Sequence, residues 1–183
     1  MEAILTFDYT VLRWIADHLV SDGLTILMRF VTSLGDAGMI WLLLALLCML
    51  RPSTRRCGWS MLGALALSLL IGNFTLKPLV HRPRPFVQYA DLLPLIPPPG
   101  EFSFPSCHTS ASFAAATALF LHHRRAGTAA LILAALIGFS RLYVCVHFPT
   151  DVLAGALLGV ALGALASWGM NELLDRVHYA KFK

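Results

Sequence analysis

Long apolar runs without charged residues alternate with short polar segments along most of the chain. The runs at residues 57–76 and 152–170 contain no Asp, Glu, Lys or Arg. Each is about long enough to cross the hydrocarbon core of a bilayer as an α-helix, which needs roughly 20 residues. Because a soluble protein rarely buries two such runs, the pattern predicts an integral membrane protein.

The same pattern predicts an all-α bundle with five clear transmembrane helices. We place them at about residues 24–50, 57–76, 106–122, 127–144 and 149–171. The first is expected to break at residues 35–38, where two glycines flank Asp36 and Ala37. Residues 3–20 mix apolar and charged side chains, which is typical of an amphipathic helix at the membrane interface, or they form a sixth spanning helix. Residues 1–183 are therefore predicted to be a single membrane-embedded domain.

Composition and charge placement refine that prediction. Hydrophobic residues make up 57% of the chain and charged residues 13%, against about 25% charged residues in soluble domains. Basic residues occur in the loop 51–56, at Arg124 and Arg125, and in the tail 176–183, all at one end of the predicted bundle. The positive-inside rule makes this end cytoplasmic. We therefore expect a multi-pass protein of the cell (plasma or inner) membrane whose proline-rich loop 78–105 faces outward.

The net charge of +4 and the four cysteines point to no additional partner. No nucleic-acid-binding motif accompanies the charge, and the cysteines lack the spacing of metal ligands. The sequence therefore predicts neither a nucleic-acid partner nor a metal site. The Ala- and Gly-rich last span favours close helix packing or self-association, so the oligomeric state stays open.

Three clusters of polar residues lie at the outward ends of the predicted spans, where polar groups are costly and therefore functional candidates. The first contains Lys77, Arg84 and Pro85. Cations held by neighbouring prolines can form a rigid anion-binding segment, in which Arg offers paired hydrogen bonds and Lys a point charge. The alternative is a basic segment that attracts lipid headgroups.

The second cluster, Pro105-Ser106-Cys107-His108, directly precedes an apolar helix. Ser106 is a predicted N-cap, so the free backbone N–H groups of the first turn would face an anion. Alternatively, His108 is an interfacial histidine whose hydrogen bonds are satisfied locally.

The third cluster contains Arg141, His147 and Asp151. Pro149 suits the first turn of the last helix, so His147 precedes that helix and Asp151 lies within its first turn. An Asp can accept a hydrogen bond from one imidazole nitrogen, which leaves the other free to attack. The alternative is a polar turn whose Asp interacts with the helix dipole. Three clusters at one end favour a shared anion site over three separate structural explanations.

Taken together, the clusters resemble the signature of the type 2 phosphatidic acid phosphatase superfamily, membrane lipid phosphatases related to vanadium haloperoxidases. That signature is Lys-x6-Arg-Pro, then Pro-Ser-Gly-His, then Ser-Arg-x5-His-x3-Asp. This chain carries Lys77 with Arg84-Pro85, then Pro105-Ser106-Cys107-His108, then Ser140-Arg141 with His147 and Asp151. The spacing within each motif matches, and the single departure is Cys107, where glycine is usual.

The resemblance implies a role for each matched residue. His147 is expected to attack phosphorus and form a phosphohistidine, with Asp151 orienting it, while His108 protonates the leaving oxygen and then activates water. The expected phosphate-binding residues are Lys77, Arg84, Ser106, Cys107 and Arg141. Their charge would replace a metal, so no metal or cofactor is expected. His81 and Arg82 fall at unassigned positions of the motif and are interpreted only as candidate headgroup contacts.

The resemblance also implies that the substrate is a lipid phosphate or diphosphate in the membrane. Within the family, the short chain resembles bacterial undecaprenyl diphosphate phosphatases, which convert undecaprenyl diphosphate to undecaprenyl phosphate for cell-wall synthesis. The alternatives are a phosphatidylglycerophosphate or phosphatidic acid phosphatase and a lipid A phosphatase, because the motifs do not fix the substrate. Other classes are a transporter or channel lined by the basic residues and a non-catalytic membrane protein. The opposite protonation states required of the two histidines predict a bell-shaped dependence of rate on pH.

Overall fold

The computed structural model describes the backbone of residues 2–180 and the side chains of residues 2–176. This part of the chain consists of helices, turns and loops without a strand, which confirms the all-α prediction. In chain order the helices are α1 (Glu2–His18), α2 (Asp22–Leu34), a 3₁₀ turn (Asp36–Gly38), α3 (Met39–Met49), α4 (Arg55–Ser68), a π-helical segment (Leu69–Leu76), α5 (Lys77–Val80), α6 (Pro85–Gln88), α7 (Cys107–His122), α8 (Arg124–Tyr143) and α9 (Pro149–Ala180).

Helix α7 lies at the centre of the bundle, in contact with α4, α8 and α9. Small residues allow this arrangement, because Gly155, Gly159 and Gly163 recur every four residues along the face of α9 that meets α7. A Cβ atom on Gly159 would lie 2.4 Å from the carbonyl oxygen of Ser110, and one on Gly163 would lie 2.4 Å from that of Ala114. The two backbones therefore pack directly on each other, as the small residues of the last span predicted.

Three helical segments are long and apolar enough to cross a membrane, namely Arg55–Gln88, Arg124–Tyr143 and Pro149–Arg176. Helices α2 and α3 make a fourth candidate if the pair, bent by 46° at the 3₁₀ turn, is one span. Helix α7 has only 16 residues, which is short for a span of roughly 20. The described part of the chain thus supports three to four spans, and the count of five stays a prediction.

The two ends of the bundle differ in their composition. We call the end that contains residues 77–106 and 143–150 the site end, because the three motif clusters converge there. We call the opposite end, which contains residues 50–56 and 122–125, the basic end.

Helix α1 lies across the site end instead of running along the spans. Asp8 contacts Thr150 at the start of α9, and the carbonyl oxygen of Leu19 accepts a hydrogen bond from Tyr143 at the end of α8. The apolar side chain of Trp14 points away from the protein and is 53% exposed. Whether residues 3–20 lie at the membrane interface stays a prediction.

Candidate active site

The three motif clusters converge on one cavity of about 1030 Å³ at the site end. Its wall includes six of the site residues predicted from the sequence: Lys77, Arg84, Cys107, His108, Arg141 and His147. The remaining two, Ser106 and Asp151, are fully buried beside the cavity. Residues from α5, α7, α8 and the turn before α9 therefore meet in one place although they are far apart in the sequence.

His147 lies on the turn between α8 and α9, with its Nδ1 side towards Asp151. The Nδ1 atom is 3.7 Å from Asp151 Oδ2, and the hydroxyl of Ser103 lies next to both atoms. Ser103 Oγ donates to Asp151 Oδ2 at 2.5 Å and is 3.4 Å from His147 Nδ1. The same carboxylate oxygen accepts the backbone N–H of Phe148 at 2.9 Å. These bonds fix the carboxylate on one side of the ring and leave Nε2 facing the cavity.

The side chain of His147 is only 2% exposed. Burial lowers the pKa of His147 to about 3, although the hydrogen bond and the charge of Asp151 act in the opposite direction. A low pKa keeps the imidazole neutral near neutral pH, so one ring nitrogen retains a free lone pair. Neutral imidazole is the form that can act as a nucleophile.

Arg84 and Arg141 bring two buried guanidinium groups to the cavity. Arg84 donates from Nε to the carbonyl oxygen of Glu101 at 2.6 Å and from Nη1 to that of Val146 at 2.7 Å. Its Nη1 is also 3.3 Å from Nε2 of His147. Arg141 donates from Nη1 to Thr32 at 2.6 Å, while its buried Nε has no hydrogen-bond partner among the residues that the structure describes. A buried donor without an acceptor is costly, and an anion in the cavity would supply one.

Lys77 at the start of α5 forms an ion pair with Glu101 of the proline-rich loop. The ammonium group is nearly buried, whereas the Glu101 side chain is 65% exposed. Lys77 holds the pKa of the Glu101 carboxyl below its usual range. The pair therefore places one exposed carboxylate next to Lys77, which the motif assigns to phosphate binding.

His108 lies on the first turn of α7 and contacts the break between α2 and α3. Its Nε2 atom is 2.9 Å from Oδ1 of Asp36 in the 3₁₀ turn. A Cβ atom on Gly35 would lie 2.9 Å from Cδ2 of His108, so the chain approaches the ring closely where it lacks a side chain. The helix break predicted at residues 35–38 thus places the carboxylate of Asp36 within hydrogen-bond distance of His108.

Ser106 occupies the N-cap position of α7, as predicted, but its side chain forms no capping hydrogen bond. Its hydroxyl pairs with that of Thr109 at 2.9 Å, and its backbone N–H donates to the carbonyl oxygen of Asp151 at 3.1 Å. Cys107, in contrast, lines the cavity and lies close to Gly72 of the π-helical segment. The structure therefore places Cys107 in the cavity wall and Ser106 behind it.

Arg82 does not line the cavity and pairs with two carboxylates, so the structure gives no support to its interpretation as a headgroup contact. It donates to Asp151 Oδ1 at 2.6 Å and to Asp8 Oδ2 at 2.6 Å. His81 is exposed and packs its ring against Phe102, with the ring centroids 4.6 Å apart. Neither residue belongs to the cavity wall.

Residues outside the three motifs complete the site, and the sequence interpretation assigned none of them a role. They are Asp8, Asp36, Glu101 and Ser103, each bound to a motif residue or to Arg82. The one available signal is that Asp36 interrupts an apolar span between two glycines.

The sequence model of one protein family, described as the PAP2 superfamily, matches residues 58–175. This range covers most of the chain and all three motif clusters. The chain belongs to the PAP2 superfamily. The resemblance drawn from the motif spacing is confirmed.

Individual relatives and a solved structure are also similar to this chain. Undecaprenyl-diphosphatase BcrC of Bacillus subtilis (strain 168) is 34% identical over 103 residues, covering 56% of this chain and 53% of that protein. Decaprenylphosphoryl-5-phosphoribose phosphatase of Mycobacterium tuberculosis is 31% identical over 143 residues, covering 78% of each protein. The crystal structure of a transmembrane PAP2-type phosphatidylglycerolphosphate phosphatase from Bacillus subtilis superposes with a TM-score of 0.78 at 29% identity, covering 94% of this chain and 88% of that one.

The matches cover only part of the chain or of the relatives. The chain spans about half the length of the Bacillus subtilis undecaprenyl-diphosphatase that it matches. The family match begins at residue 58, so α1, α2 and α3 lie outside it, together with Asp8 and Asp36. The candidate spans and the membrane phosphatase relatives identify a multi-pass membrane protein.

Proposed function

We propose that this protein is an integral membrane lipid phosphatase that works through a phosphohistidine on His147. The observation that carries the proposal is the arrangement in one cavity of two histidines, each next to a carboxylate, and three cationic side chains, Lys77, Arg84 and Arg141. Cationic groups fixed around a phosphoryl group stabilise the negative charge on its oxygens in the transition state. The same charges supply the stabilisation for which other phosphatases use a metal ion, so the reaction is expected to be metal-independent.

In the first step, His147 attacks phosphorus and the bond from phosphorus to the leaving oxygen breaks. Arg84 lies 3.3 Å from His147 Nε2, so a phosphoryl oxygen bound to Arg84 brings phosphorus next to that nitrogen. The ring becomes positively charged as the P–N bond forms. Asp151 on the Nδ1 side stabilises this charge.

His108 transfers the proton in both steps. It donates a proton to the leaving oxygen in the first step, and in the second step it removes a proton from the water that hydrolyses the phosphohistidine. The contact with Asp36 supports this role, because a carboxylate at 2.9 Å stabilises the protonated ring before the first step. Inorganic phosphate and the free enzyme are the final products.

The composition of the cavity wall supports a lipid substrate, because the wall is cationic at the site end and apolar along the remainder. The cations lie at the site end, while leucines from α3, α4 and the π-helical segment line the remainder: Leu42, Leu62, Leu65 and Leu69. A phosphate headgroup fits the first part and an apolar chain the second.

We favour undecaprenyl diphosphate as the substrate, with undecaprenyl phosphate as the product. The support is that two similar proteins are named for polyprenyl substrates. The second candidate is phosphatidylglycerophosphate, because the superposed crystal structure is a phosphatidylglycerolphosphate phosphatase. The basic residues at the opposite end, including Arg55 and Arg124, support a site that faces outward from the cell membrane.

Phosphate release by the purified protein in detergent tests the proposal. Undecaprenyl diphosphate, phosphatidylglycerophosphate and phosphatidic acid would be compared side by side in the presence of EDTA. His147→Ala is the test variant, and His123→Ala at the basic end is the matched control. We expect release by the wild type and the control, none by His147→Ala, and the highest kcat/KM for undecaprenyl diphosphate. No release from any of the three lipids by folded protein would contradict the proposal.

A further inference from the structure

Arg82 lies behind the His147–Asp151 pair and joins two buried carboxylates. Its Nη1 donates to Asp151 Oδ1 at 2.6 Å, and its Nη2 donates to Asp8 Oδ2 at 2.6 Å. Both carboxylates are fully buried, and the Arg82 side chain is 14% exposed. A planar guanidinium can hold two carboxylates at once in fixed directions, which a single ammonium group cannot do.

The bonds to Asp151 divide between its two oxygens. Oδ2 accepts from Ser103 and from the backbone N–H of Phe148, and it faces the ring of His147. Oδ1 is held by Arg82. Because both oxygens are bound in different directions, the carboxylate cannot rotate away from the histidine without breaking a charge-assisted hydrogen bond.

Asp8 anchors Arg82 from helix α1. Its carboxylate accepts from the backbone N–H of Thr150 at 3.0 Å, from the hydroxyl of Thr150 at 2.5 Å, and from Arg82. The guanidinium also stacks over the ring of Phe148, 4.1 Å from its centroid. The arginine is thus fixed by groups from α1, from the turn that carries His147 and from the first turn of α9.

We infer that Arg82 is a positioning residue for the reaction and that Asp8 of α1 is its anchor. This inference rests on the proposed function, in which His147 is the nucleophile. Arg82 is not part of the cavity wall. It acts through Asp151, whose fixed carboxylate keeps the imidazole of His147 in the orientation for attack and stabilises its positive charge.

The competing role is contact with the lipid headgroup, which the basic sequence around Arg82 suggests. The two roles predict different kinetics. Loss of a headgroup contact raises KM, whereas loss of a positioning group lowers kcat with little change in KM. A displaced catalytic group costs on the order of 100-fold in rate.

The test compares Arg82→Met, Arg82→Lys and Asp8→Asn with a matched control, Arg13→Met. Arg13 also ties α1 to the site end, through Asp91, but it does not contact Asp151. We expect Arg82→Met to lower kcat by about 100-fold and Arg82→Lys by about 10-fold, each with KM within about 3-fold of wild type. Asp8→Asn should lower kcat by a smaller factor, and Arg13→Met should leave it unchanged.

Chemical rescue separates positioning from a general structural role. Added guanidinium at millimolar concentration should raise the kcat of Arg82→Ala several-fold, because the ion can occupy the space between the two carboxylates. It should have no effect on His147→Ala. The melting temperature of each variant in detergent shows whether that variant folds. If Arg82→Met and Arg82→Ala unfold, the test uses Arg82→Lys, which keeps a positive charge between the two carboxylates.

Three results would overturn the inference. The first is a raised KM with unchanged kcat in the Arg82 variants, which would make Arg82 a headgroup contact. The second is an equal loss of kcat in Arg13→Met, which would show that only the docking of α1 matters. The third is wild-type kcat and KM in the Arg82 variants while His147→Ala is inactive. Full activity of His147→Ala is a different result, because it would contradict the proposed function itself.

Discussion

The two histidines that line the cavity, His147 and His108, have opposite surroundings. His147 is 2% exposed, and its partner Asp151 is fully buried. His108 is 22% exposed, and its partner Asp36 is 65% exposed. A nucleophile gains rate from a fixed orientation, whereas a proton donor and acceptor must exchange protons with the leaving group and with water. The difference in burial therefore matches the difference between the proposed roles.

The largest expected effect comes from His147, because its loss removes the bond-forming atom. We expect His147→Ala to lose activity by about 10⁴-fold or more, a magnitude known for removal of other enzymatic nucleophiles. The wild type, but not this variant, should also form a phosphoenzyme that is labile to acid and stable to alkali. A phosphoenzyme that persists in His147→Ala would assign the nucleophile to another residue.

The second effect, at His108, should depend on the leaving group. Replacing the proton donor by His108→Asn should slow hydrolysis of a lipid phosphate by roughly 10²- to 10⁴-fold. The leaving group of an aryl phosphate needs no proton. The rate of phosphoenzyme formation from an aryl phosphate should therefore fall much less in this variant. Burst kinetics with both substrates measure this difference, and equal losses with both would contradict the role of proton donor.

The dependence of rate on pH should show no loss of activity from protonation of His147 in the ordinary range. Activity requires neutral His147, whose pKa of about 3 lies below the usual histidine value, so the acidic decline that its protonation causes falls near pH 3. We therefore expect kcat not to fall as the pH is lowered from 7 to 5. A decline of kcat in this interval would mean that His147 is less buried than the structure indicates. The acidic side of the bell-shaped profile expected from the sequence is thus predicted to lie below pH 5.

Much of the fold followed from the apolar runs, because spanning helices need long uncharged segments. The pattern located the segments that became α4, α8 and α9, and it located the helix break at residues 35–38. It did not indicate the π-helical segment before Lys77, since backbone hydrogen-bond register leaves no trace in hydrophobicity. Nor did it indicate that α1 docks through Asp8, because that contact depends on a residue 74 positions away in the sequence.

The motif residues were predictable because their spacing is local, whereas their supporting contacts were not. Asp36 is 72 residues away from His108, and Ser103 is 48 residues away from Asp151. Arg82 shows the limit most clearly, because its position in a basic segment suggested a headgroup contact and its actual partners are two carboxylates. Side chains that hold a catalytic group in place are identified by geometry, and only those that match a fixed spacing are visible in one sequence.

The smallest expected effect tests the partner of the more exposed histidine. Asp36→Asn keeps a hydrogen-bonding side chain at the 3₁₀ turn but removes the negative charge that stabilises protonated His108. We expect about a 10-fold lower kcat, because the protonated form of His108 becomes less populated without the carboxylate. Asp22→Asn, which changes an exposed Asp in the first turn of α2, is the matched control. An unchanged kcat in Asp36→Asn would mean that the charge of Asp36 does not support the proton transfer, and the two histidines would then differ only in burial.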